Sequence, residues 1–220
     1  RGMLTYEKGA FRRQIEAAFQ EIGYRTDFAQ VVAADYGAPQ MRHRILFIGT
    51  RIDDIKLSFP KPTHGSEGSN LKPYVTVEEA IGDLPLIGKD YTRKERPYAS
   101  GPQNPYQVYS RTGAPQDVTL HVGRPLSDQA QSLAKHIGQG EGLRAVPVKA
   151  LPARFKKMRT ISNGSLRRDC TTLYYRLDPR RPSYTITCNY KNVASGPFLH
   201  PNEDRAISHR EAARFMSFPD

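Results

Sequence analysis

The chain has 220 residues, enough for one large or two small domains with buried cores. Its hydrophobic share of 38% contains no apolar run of membrane-spanning length, which argues against a membrane role. Thirty-three Lys and Arg against 22 Asp and Glu give a net charge of +11, which favours a polyanionic partner, because each phosphate neutralised releases counterions. Cys170 and Cys188 have neither CxxC spacing nor a His pair beside them, so they read as free thiols in a reducing cytosol and not as a metal site. No charged head followed by an apolar stretch marks a secretory signal, and a first residue other than Met reads as part of a longer chain.

In chain order, Phe11, Ile15, Ala18, Phe19 and Ile22 fall on one face at helical spacing, and Gly23 follows as a stop. Residues 28–34 and 45–49 are short apolar runs of strand length separated by Gly37-Ala38-Pro39. Helix, strand, turn, strand suits the edge of an α/β sheet. The Pro, Gly, Ser and Asn texture beyond Phe59 places a linker or domain boundary near residue 60.

Thr76-Val77-Glu78-Glu79 has the form of a capping box and opens a short helix ending at Gly82. Residues 88–118 show little periodicity and read as loop and irregular strand. A helix follows Ser127, with Ala130, Leu133, Ala134 and Ile137 on one face and Gly138 as its stop. The Gly-rich run 138–142 follows a helix and not a strand, so it reads as a turn and not as a phosphate loop. Ser208-His209-Arg210-Glu211 is a second capping box, opening a helix that packs on Ala212, Ala213, Phe215 and Met216.

Basic charge is focused between Leu151 and Lys191, where ten basic residues face two acidic ones. Arg154, Lys156, Lys157, Arg159, Arg167 and Arg168 surround the turn-like Ser162-Asn163-Gly164-Ser165. A Gly-containing loop flanked by cations suits a major groove, where Arg reads guanine and Asn reads adenine. Arg159, Asn163, Ser165, Arg167 and Arg168 are therefore candidate DNA contacts, the alternative being a solvated basic loop. Tyr190, Lys191 and Asn192 form a second candidate loop. Thr185 either donates to a phosphate or serves as a β-branched strand residue.

The run Asp35-Tyr36-Gly37-Ala38-Pro39-Gln40-Met41-Arg42-His43-Arg44 resembles the Gln-x-Arg-x-Arg motif of cytosine-5 DNA methyltransferases. Thr76 to Pro85 resembles the segment leading into that family's target-recognition domain, and His121 to Leu126 resembles a segment within it. Arg176-Leu177-Asp178 with Pro182-Ser183-Tyr184-Thr185-Ile186-Thr187 is similar to the family's Pro-x-x-Thr-Ile-Thr element. His200-Pro201, Arg205 and Arg210 through Asp220 look like the motif that returns the chain to the catalytic domain.

The resemblance implies an α/β fold: part of a Rossmann-like sheet in residues 1–60, a smaller, mainly β and irregular recognition domain in 61–200, and a returning helix in 201–220. It implies an enzyme that moves a methyl group from S-adenosylmethionine to carbon 5 of a flipped cytosine in double-stranded DNA, with no metal, in the bacterial cytoplasm at the nucleoid. It further implies that Arg44 reaches the flipped cytosine or its phosphate, with Arg42 and Gln40 beside it. Neither cysteine lies in a Pro-Cys-Gln loop, so the nucleophile and the cofactor loop are expected on a missing amino-terminal half, in the same protein or as a separate chain. The closing Gly-Asn-x-Val motif is also lacking, and the chain reads as clipped at both ends. Two alternatives are a non-catalytic DNA-binding subunit of a split enzyme and an RNA cytosine methyltransferase. The roughly 140 residues between the first and last motifs favour a DNA reader.

Overall fold

A computed structural model describes residues 9–161, 163–165, 167 and 170–220. Helix α1 (Ala10–Glu21) begins after Gly9 and ends where Gly23 adopts φ +81°. Its apolar residues share a face as expected, yet none is fully buried, and Ile22 stays 56% exposed. The helix lies over strand β1 (Arg25–Val32), with the Arg12 guanidinium 4.6 Å from the Phe28 ring centre. After a 3-10 turn (Ala33–Tyr36) and Gly37 at φ +92°, the chain forms β2 (Gln40–Met41) and β3 (His43–Thr50).

Strands β1 and β3 pair antiparallel over their full length, from Arg25 opposite Thr50 to Val32 opposite His43. Phe28 and Phe47 stack across the pair at 6.0 Å. Both expected strands are present, as a two-stranded antiparallel sheet. Among the described residues no parallel β-α-β unit extends it.

The Pro- and Gly-rich stretch after residue 60 is not a loose linker. β4 (His64–Gly65) and β5 (Lys72–Pro73) pair in parallel. Thr63 N donates to Asp35 O at 2.9 Å, the Tyr74 hydroxyl to the Asp35 carboxylate at 2.8 Å, and the Tyr36 hydroxyl to Pro60 O at 3.0 Å. Gly37 is required here, since a Cβ would stand 2.9 Å from the His64 ring.

Helix α2 (Val77–Ile81) carries the full capping box between Thr76 and Glu79. The 88–118 segment holds the irregular pair β6 (Arg96–Pro97) and β7 (Asp117–Val118), and also a helix without a periodic signal, α3 (Pro105–Ser110). Its start is legible: the Asn104 side chain accepts from Gln107 N, and Pro105 occupies the first turn, where its missing N–H costs nothing. α4 (Asp128–Ala134) is capped by Ser127, and residues 138–142 form a turn as expected.

α5 (Ala153–Ile161), β8 (Ser183–Tyr184) and α6 (His209–Phe215) complete the chain, α6 carrying its capping box between Ser208 and Glu211. Residues 61–200 are thus irregular, as the resemblance implied, but carry helices and only two-residue strands where it implied a mainly β segment. Strand pairs this short cannot build a core. Burial comes instead from two side-chain clusters, one joining α4 and α5 through Leu143, Phe155 and Tyr174, the other joining α2 and α6 through Leu177, Ile186 and Phe198.

Candidate nucleic-acid interface

The Gln-x-Arg-x-Arg segment and the Pro-x-x-Thr-Ile-Thr element, far apart in sequence, meet as the parallel pair β2–β8, with Gln40 opposite Ser183 and Met41 opposite Tyr184. Side chains continue what the backbone begins. Ser183 donates to Pro39 O through its backbone N at 2.9 Å and its hydroxyl at 2.8 Å, and the Thr185 hydroxyl donates to Met41 O at 3.1 Å.

Gln40 is buried and bridges three segments: its Oε1 accepts from Ile186 N at 3.1 Å and its Nε2 donates to Phe215 O at 2.9 Å. The structure therefore places Gln40 in the scaffold, away from solvent. Arg42 is partly buried and donates to Ile186 O at 3.1 Å. Burial, then the like charge of Arg44, lowers its pKa, yet a guanidinium keeps its charge in proteins. Arg44 is exposed at the start of β3 and donates only locally, to His43 O at 2.7 Å. A fixed Arg42 beside a solvent-facing Arg44 suits a strand meeting an anion from one side.

In the basic segment, α5 is anchored by buried Phe155, whose ring meets Tyr174 edge-on at 5.9 Å. Lys156 and Lys157 are exposed. Arg159 turns back and donates to Leu143 O at 2.7 Å and Arg144 O at 3.0 Å, so its guanidinium holds the 143–144 backbone. Asn163 (φ +51°) and Gly164 (φ +85°) make the expected turn, closed by Gly164 N donating to Arg159 O at 2.8 Å. Ser165 and Arg167 are exposed, while Ser162 and Arg168 lie outside the described residues. In the second loop Lys191 is exposed, Tyr190 packs edge-on against His209 at 5.8 Å, and the Asn192 side chain accepts from Ala194 N at 2.9 Å to cap a 3-10 turn (Val193–Ser195).

Sequence reasoning missed a buried ion network around Glu211. Glu211 is more than a cap: Arg205 grips it bidentately, at 2.8 and 2.6 Å. His200 Nε2 lies 3.4 Å from the same carboxylate. His121 Nε2 is 2.7 Å from Pro85 O and so carries the proton, leaving Nδ1 to accept from the Ser208 hydroxyl at 2.9 Å. Burial would raise the Glu211 carboxyl, but the Arg205 charge and then His200 hold it well below its ordinary value. Burial pushes His200 down to about 4, against the pull of Glu211.

Arg214, fully buried, pairs with Asp83 at 3.0 Å and Asp220 at 2.6 Å. Arg176 donates to the carbonyls of Ala134, Ile137, His200 and Glu203 and to Asp204. The signal for these roles lies in the acidic residues interleaved among the last arginines. Among the described residues no group of three or more His, Cys, Asp or Glu side chains is placed to hold a metal ion, and no helix is long and apolar enough to cross a membrane.

The chain matches the family model described as C-5 cytosine-specific DNA methylase over residues 1–220. It is 48% identical over 87 residues to the type II methyltransferase M.BspRI of Lysinibacillus sphaericus, covering 39% of this chain and 20% of that one. It is 29% identical over 222 residues to M.NgoFVII of Neisseria gonorrhoeae (100% of this chain, 48% of that one) and 26% identical over 277 residues to M.AgeI of Thalassovita gelatinovora (100% and 64%). The chain thus spans less than two thirds of the length of these relatives. A solved structure from Escherichia coli, described as a "putative DNA modification methyltransferase" encoded within a prophage, superposes with a TM-score of 0.61 at 22% identity, over all of this chain and 57% of that one, which shows the shared fold. With the family model matching end to end, the chain belongs to the C-5 cytosine-specific DNA methylase family.

Proposed function

We propose that this chain is the DNA-holding portion of a DNA (cytosine-5)-methyltransferase, an enzyme that transfers a methyl group from S-adenosylmethionine to carbon 5 of a cytosine turned out of duplex DNA in the cytoplasm. The observation that carries this reading is the β2–β8 clamp. Gln40, Ser183 and Thr185 lock the Gln-x-Arg-x-Arg strand onto the 182–187 element, so that Arg42 is fixed and Arg44 faces solvent beside it.

Turning a nucleotide out of the stack costs a few kcal/mol, which pre-positioned cations offset by holding the displaced backbone. Lys156, Lys157, Arg167 and Lys191, with Asn163 and Ser165 between them in sequence, supply the wider surface that takes phosphates and reads bases; Arg168, outside the described residues, is assigned to it from the sequence alone. Arg159, Tyr190 and Asn192 shape the loops that carry them.

In the cleft nearest the clamp the Asp178 carboxylate is engaged by Arg180 at 3.1 Å, with Arg181 at 3.7 Å, which gives no ground for seating the methyl donor there. No residue of the described part is assigned to the donor, and the nucleophile is assigned outside this chain.

The test is the binding of the protein to a fluorescent DNA duplex across a salt series. Log affinity should fall linearly with log salt. The double variant Arg167→Ala/Arg168→Ala and the single variant Arg44→Ala should each weaken binding and flatten the slope, by about one for every phosphate no longer neutralised. Absence of binding at low salt, or equal preference for an RNA duplex of the same sequence, would overturn the reading.

A further inference from the structure

Two clefts adjoin beside the β2–β8 clamp, of about 820 and 470 Å³, and the same two side chains, Tyr175 and Tyr184, line both. Their rings meet edge-on at 5.1 Å, and Tyr184 remains 40% exposed. Arg180 and Arg181 stand on the wall of the larger cleft with side chains 83% and 80% exposed, and Arg144 on that of the smaller.

The arginines are pre-set. Asp178 accepts from Arg180 Nε at 3.1 Å and from Arg180 N at 3.0 Å, and lies 3.7 Å from Arg181 Nε. Their loop is pinned to the start of α2 by Val77 N donating to Arg181 O and Glu78 N to Pro179 O, each at 2.9 Å. Two guanidiniums, 80–83% exposed, stand at the mouth, balanced by two carboxylates, Asp178 beside them and Glu67 elsewhere on the cleft wall.

A half-exposed aromatic wall between two clefts, with the exposed Arg180 and Arg181 at the rim of the larger and Arg144 beside Glu141 in the smaller, has the chemistry of a nucleotide-unit site: arginine forks for phosphate and a ring face for base or sugar. It is continuous with the clamp, since Met41, which precedes Arg42, pairs with Tyr184. We propose that Tyr184, with Arg180 and Arg181, forms a further DNA-positioning site, in which the arginines take a backbone phosphate and the Tyr184 ring packs against the adjoining nucleotide. This rests on the DNA-holding function proposed above. It adds to the strand and loops already described a contact that is insensitive to base identity, because phosphate and sugar are the same in every nucleotide and one turned out of the stack offers a ring face whatever its base.

The chain contains no tryptophan, so Tyr184→Trp creates a single reporter in the cleft. Binding to a duplex is followed in parallel by anisotropy of labelled DNA and by tryptophan emission. The proposal expects emission to be quenched along the same isotherm as anisotropy. It expects Tyr184→Ala to weaken binding roughly 5- to 100-fold while Tyr184→Phe, which keeps the ring, stays near the parent. It also expects Arg180→Ala/Arg181→Ala to lower the salt slope by about one. Anisotropy showing tight binding while emission, Tyr184→Ala and the arginine pair leave everything unchanged overturns this site and leaves the proposed function standing. No binding by the unsubstituted protein overturns both.

Discussion

Two arginine-rich regions of this molecule put the same side chain to opposite uses. Between residues 200 and 220, Arg205, Arg210 and Arg214 are buried and each is paired with a carboxylate. Between 153 and 161, Lys156 and Lys157 point to solvent, and Arg154 and Arg159 contact a hydroxyl or carbonyls. The difference lies in the acidic residues: the first region contains Glu203, Asp204, Glu211 and Asp220, the second none. In the first region guanidiniums enter the interior with carboxylates encoded within ten residues of them, and in the second, which encodes none, the cations stay at the surface or hold backbone carbonyls.

The sharpest way to break this contrast is Glu211→Ala. It removes the bidentate partner of buried Arg205, leaving Glu203 at 2.7 Å as its remaining carboxylate, and should cost at most about 3–5 kcal/mol, read as a large drop in the urea midpoint or loss of the cooperative transition. A small drop would mean that Arg205 reaches solvent on relaxation.

Acid probes the same network. The folded values of His200, lowered to about 4 from an ordinary 6.5, and of Glu211, also lowered, both mean that the unfolded chain binds more protons as pH falls. Stability should therefore be full above pH 6.5 and decline toward pH 4, then further as Glu211 protonates. Denaturant midpoints taken across this range should slope less steeply in His200→Gln.

Next in size is Gln40→Ala, which leaves Ile186 N–H and Phe215 C=O unpaired in a buried setting and should destabilise by about 1–3 kcal/mol. At the small end, Arg159→Ala should cost about 1 kcal/mol with the DNA salt slope unchanged. Lys156→Ala/Lys157→Ala should do the reverse: stability within about 0.5 kcal/mol and a shallower slope. Exchanged outcomes for these last two variants would erase the proposed division between scaffold and surface.

Features set by near neighbours are legible in the sequence. Both capping boxes, the Ser127 cap and the two long strands depend on residues within a turn or two of each other. α3 escapes because six residues give no periodicity to count, although Asn104-Pro105 announces its start. For the site, Arg42, Arg44, Ser183 and Thr185 are legible as motifs, but their meeting as one parallel pair is not, since pairing register is a property of the whole fold. Glu211 reads as a cap alone because the box accounts for its position without involving Arg205 or His200. Arg159 reads as surface charge because nothing near it in sequence announces its acceptors, the carbonyls of Leu143 and Arg144.

The hydrogen bond from Gln40 to Phe215 spans 175 positions of the chain. At a synthesis rate of about 5–20 residues per second, Gln40 leaves the ribosome roughly 10–35 s before its acceptor exists. The β1–β3 hairpin can close in that interval from contacts 11–25 residues apart, whereas β2 must wait for β8, and Gln40 also for α6. A nascent chain therefore carries Arg42 and Arg44 unclamped until residues 183–187 have been made.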